Sequence, residues 1–140
     1  MTPTLYGRLQ NRVFIFATLG VAWTLLITPF LPDRGRLSTA YGVTFRVLLI
    51  VAVAGLGWEL VYHGLQQFRW EKDWPTLFAL LVGINEGITA WFIAKAFDVP
   101  VLAAPFLVHF VTTWLVIWLW LIGPMRVVNI RWRYRGGRWV

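Results

Sequence analysis

Glu86, in the middle of 75–97, and His109, in 100–122, stand in stretches apolar enough to cross a bilayer. A carboxyl at mid-membrane is costly, so Glu86 must face protein or water and needs a partner at its own depth. Counting back and forward from the turn at Phe97 and Asp98, each residue lies about eleven positions away, roughly 16 Å from the surface at 1.5 Å per residue. The spacing therefore predicts a Glu86–His109 pair on adjacent antiparallel helices. Such a pair can be an interhelical hydrogen bond from a protonated Glu86, or the kind of site from which proton relays are built. The structural role is the preferred reading. Pro105 bears on it, because it either kinks the helix in its second turn or marks the true first turn. In the second case His109 rises toward the surface and the pairing weakens.

Asn85 and Thr89 flank Glu86, while Thr112 and Thr113 follow His109, which predicts a small polar cluster around the pair. Polar residues of this kind are ordinary interhelical glue, each contributing about 0.6 to 2 kcal/mol. Glu59, His63 and Gln66 form a second polar stripe, at the far end of 44–66. Glu-x-x-x-His places both groups on one helix face, as a metal site requires, yet no second histidine or further ligand accompanies it. The stripe reads as a wet interfacial face, and no metal is expected. A haem bridging His63 and His109 is excluded by depth, roughly 5 Å against roughly 20 Å from one surface. No cofactor is expected.

Enzyme signatures are missing: there is no nucleophile elbow, phosphate-binding glycine loop or His-Cys cluster. With no cysteine, thiol chemistry and disulfides are excluded as well. The chain reads as a non-enzyme.

The elements that must position these groups are apolar helices. Hydrophobic residues make up 59% of the 140 and charged residues 14%, against about 25% charged in a soluble domain. One all-α membrane domain of four transmembrane helices is expected, with spans near 13–32, 44–66, 75–97 and 100–122. Residues 1–12 read as a short amphipathic helix leading into the first span, with Arg8 and Arg12 on its polar face. Gly83 and Gly87 have the small-xxx-small spacing that lets a second helix approach, and Gly55 and Gly57 of the second span are the expected partners. The tail, 126–140, alternates Arg126, Arg131, Arg133, Arg135 and Arg138 with Trp132, Tyr134 and Trp139. At a membrane surface, arginines contact anionic headgroups and the rings sit beside them. Lipid is thus the expected partner of the tail, ahead of nucleic acid.

Four spans put both termini on one side. That side carries nine Lys and Arg (8, 12, 69, 72, 126, 131, 133, 135, 138) and the other four (34, 36, 46, 95). The positive-inside rule then places both termini in the cytoplasm of a multi-pass protein of the plasma (inner) membrane. The expected function is a non-catalytic structural or accessory subunit, packing against copies of itself or a larger complex. Three features point there: little mass outside the membrane, small-residue faces, and more aromatic side chains than a lone bundle can bury. The alternative is a proton- or ion-coupled channel or carrier protomer using Glu86 and His109. A small lytic pore is a third reading, supported by size and tail alone.

Overall fold

In a computed structural model the described residues are 4–68, 75–129, 134–135 and 138–139, and they form helices with no strand among them. Four are long and apolar enough to cross a membrane. Helix α1 is Leu5–Phe30, α2 is Leu37–Gln67 and α3 is Thr76–Ala96. Helix α4 is Ala103–Ile122, after which Gly123 breaks the run and a short α5, Pro124–Val128, follows. Sequential helices pack as neighbours, α4 closes back on α1, and α2 also touches α4. The long diagonal of the bundle is therefore α1 to α3.

Two boundaries differ from the sequence expectation, and both move arginines. The amphipathic segment at the start is continuous with the first span, because Thr4 caps the helix by accepting from the Gly7 N–H and no breaker follows before Pro29. Arg8 and Arg12 thus belong to α1. Helix α2 begins at Leu37, seven residues before the expected Thr44, which moves Arg46 from the first turn to the interior of the helix. Pro105 falls in the first turn of α4, where its missing N–H breaks no helical bond. Asp73, the expected cap of the third helix, lies outside the described residues.

Inside α1, Phe16–Gly20 is a single π-helical turn. Buried residues recur every four positions along this helix: Arg12, Phe16, Gly20, Thr24 and Thr28. On a regular helix a four-residue step overshoots by about 40°, so Arg12 and Thr24 would lie about 120° apart. One extra residue in the π turn takes back roughly 100° and returns them to one face.

The tryptophans act mainly between helices. The indole N–H of Trp23 donates to Thr112 (3.0 Å), that of Trp58 to Thr89 (3.2 Å), and that of Trp114 to the Leu80 carbonyl (3.1 Å). Trp118 donates to the Thr76 carbonyl at 3.1 Å. Of the seven described tryptophans only Trp120 is exposed. The other six are half-buried, and the exposed large side chains among the described residues are chiefly aliphatic or phenylalanine.

Candidate functional site

Glu86 is buried at 2% exposure on α3, and its partner is Arg12, not His109. Both terminal nitrogens of Arg12 donate to the carboxylate, Nη1 at 3.2 Å to Oε1 and Nη2 to Oε2. The same guanidinium reaches the Val51 carbonyl at 3.1 Å and Glu59 at 3.4 Å. Arg8, one turn earlier, donates to Glu59 (3.2 Å) and to the Gln66 side chain (2.7 Å). Two arginines from α1 thus meet a carboxylate from α2 and another from α3, and the formal charges cancel. The geometry is a forked, multidentate one, the arrangement in which buried ion pairs recover most of their desolvation cost.

Arg12 can span the long diagonal because α2 presents Gly55 at the crossing. A Cβ on Gly55 would collide with the guanidinium itself, so this glycine is the opening through which the side chain passes. The Phe16 ring lies 4.9 Å from the guanidinium carbon and covers its face. Gly55 is therefore not a contact for Gly83 and Gly87, as the small-residue spacing suggests. Those two glycines receive aromatic rings from α4: a Cβ on Gly87 would stand 2.7 Å from Phe110, and one on Gly83 would overlap the Trp114 indole. Gly57 has nothing within 4 Å and is exposed. Small residues are used here to admit large side chains, not a second backbone.

His109 occupies a separate site. It is buried between α4 and α1, with Nε2 2.9 Å from the Thr24 hydroxyl. Thr28 donates to the Thr24 carbonyl (2.6 Å) and shares a 3.0 Å hydrogen bond with Thr44 of α2. The expected pair does not form because of helix face, not depth: the neighbours Gly87 and Phe110 meet, so the two residues stand near one level, but Glu86 turns to Arg12 and His109 to Thr24. The proposed supporting cluster separates in the same way. Thr89 serves Trp58, Thr112 serves Trp23, Thr113 donates to the His109 carbonyl (2.6 Å), and Asn85 is exposed.

The polar stripe of α2 divides as well. Glu59 and Gln66 turn inward to the arginines, whereas His63 lies beside Gln67 at 3.4 Å. In the tail, Arg126, Tyr134, Arg135 and Arg138 are at the surface, whereas Trp139 is half-buried on α1, its ring 4.2 Å from Phe14 and its N–H on Gln10 (3.1 Å). Arg131, Trp132 and Arg133 lie outside the described residues.

Arg12 is the functional residue that pattern reading misplaces, because a cation near a chain terminus reads as a solvated flank. One signal was available: the bundle holds two acids, Glu59 and Glu86, and the only cations able to reach them from α1 are Arg8 and Arg12, in line with Thr24 and Thr28 at four-residue steps. The molecule is thus a four-helix bundle of membrane-spanning character, pinned by a charge-neutral ionic cluster at one level and a histidine–hydroxyl network at another. No family model, curated protein or solved structure matches the chain.

Proposed function

We propose that the chain is a multi-pass protein of the plasma (inner) membrane with both termini in the cytoplasm, serving as a non-catalytic structural or accessory subunit of a homo-oligomer or larger membrane complex. The observation that supports this best is the closure of the ionic cluster. Arg8, Arg12, Glu59 and Glu86 are matched to one another, so the ionisable groups tie α1, α2 and α3 together instead of lining a route. Beside His109 the free space is about 10 Å³, the lower limit for a single water, which leaves little room for a hydrated path there. A relay joining Glu86 to His109 is the weaker reading, since each is bonded elsewhere.

The topology is supported by a revised charge count. Arg8 and Arg12 are neutralised inside the bundle, which leaves seven Lys and Arg on the side of the termini (69, 72, 126, 131, 133, 135, 138) against four on the other. Seven to four still favours cytoplasmic termini. The surface arginines of the tail then face anionic headgroups, each contributing about 1 kcal/mol, with Trp139 fixing the tail on α1.

Extraction of the tagged chain from its native host in mild detergent, followed by mass and composition analysis, tests the subunit role. Other proteins at fixed stoichiometry, or a defined homo-oligomer without ion flux in proteoliposomes, is the expected result. Proton or ion flux from the purified chain alone, abolished in an assembled R12Q/E86Q double variant, would sink it.

A further inference from the structure

The outer side of the α3–α4 hairpin carries a groove of about 580 Å³ with walls that are almost wholly apolar. Its floor is Gly83 and Gly87, and its length is lined by Trp91, Phe106, Phe110 and Trp114. These four rings meet in sequence at centroid distances of 5.0, 5.9 and 5.9 Å, the first contact edge-to-face and the next two stacked, so they form one continuous aromatic wall. From Leu80 to Trp91 the groove runs about 17 Å along the helix axis, and the two glycines that could have met a neighbouring helix backbone already hold Phe110 and Trp114. With backbone approach blocked at its floor, the groove suits a flexible hydrocarbon chain.

A cation stands at one end of this groove. The Lys95 ammonium is 4.8 Å from the Trp91 ring centre and donates one hydrogen bond, 2.8 Å, to the Val101 carbonyl in the α3–α4 turn. No carboxylate pairs with it among the described residues, and an ammonium has two further N–H donors to offer. It is exposed, at the level where an α3 span meets the headgroup region.

We propose that this groove is a binding site for an anionic phospholipid, with one acyl tail along the aromatic wall and the phosphate on Lys95. Gly83 and Gly87 make the groove by letting the rings sink against α3, and the cation selects charge at its mouth. The site rests on the transmembrane placement of the bundle but not on its role as a subunit.

The test is photo-crosslinking of the full chain in phosphatidylcholine vesicles doped with phosphatidylglycerol carrying a diazirine in mid-tail, with peptide mapping of the adducts. Adducts at Ile88 and Leu107, on the groove rim, should exceed those at Leu26 and Val53 on other exposed faces by about fivefold, the ratio expected for one cation at an anionic headgroup. K95Q should bring the groove to the level given by a phosphatidylcholine probe with the same tail. I84W, an exposed change that fills the groove, should lower groove labelling by either probe. Equal labelling of all outward faces would overturn the site while leaving the transmembrane placement intact. Equal groove labelling by both probes, or a groove protected by protein–protein adducts, would also overturn it. No adduct on any face would remove the placement and the site together.

Discussion

At the scale of single residues, the bundle depends on a charge pair whose members are each unacceptable alone. Arg12 is 6% exposed and Glu86 2%, so removing either leaves an uncompensated charge in an apolar interior. R12L or E86L should therefore destabilise by about 3–5 kcal/mol, while the double variant should recover most of that loss, because an apolar pair replaces a desolvated ionic one. Thermal unfolding of the four species in mild detergent checks this; additive losses would mean that the two side chains do not act as a unit. Glu59 remains beside Arg12 in E86L, so the arginine retains one anion and the single loss should fall at the lower end. Gly55 belongs to the same scale. G55A puts a methyl group where the guanidinium lies and should cost about 1–3 kcal/mol, the usual penalty of overpacking. Combined with R12L, which vacates that space, the alanine should become nearly neutral. A G55A penalty unchanged by R12L would refute the account of the opening.

At the scale of elements, the π turn of α1 decides which side chains face inward. Arg12 on one side of Phe16–Gly20 and Thr24 on the other share a face only because that turn contains an extra residue. Deleting exposed Thr18 should convert it to a regular α turn and keep both sites in phase, with folding retained. Inserting one alanine at the same point should swing the two sites roughly 100° apart and abolish the folded bundle. Circular dichroism and detergent-resistant mobility of the two variants separate these outcomes, and equal damage from deletion and insertion would count against the phase argument. Pro105 acts on the same scale: it sits in the first turn of α4, where its missing N–H breaks no helical bond, and so leaves that helix unkinked at His109.

At the scale of the whole molecule, a chain with no cysteine lends itself to topology mapping, since every engineered thiol reports without background. With cytoplasmic termini, G35C and D98C, in the two turns on the far side from the N-terminus, should react with a membrane-impermeant maleimide in intact cells. F68C, at the opposite end of α2, should react only after lysis. The reverse pattern would invert the bundle and place the tail outside. Much of this architecture was legible in the residues alone. Four long apolar runs, their breakers at Pro29, Asp98 and Gly123, and the excess of arginine beyond the last span are local or additive properties, and hydropathy, helix termination and charge counting depend on nothing else. The cost of an acid at Glu86 was legible for the same reason. The identity of what answers it was not. Depth along one hairpin favoured His109, but a partner is chosen by reach, helix phase and free space together, and these came from a π turn in α1 and a missing side chain at Gly55. Each is a relation between helices far apart in the chain, so only the packed bundle could decide that Glu86 belongs to Arg12 and His109 to Thr24.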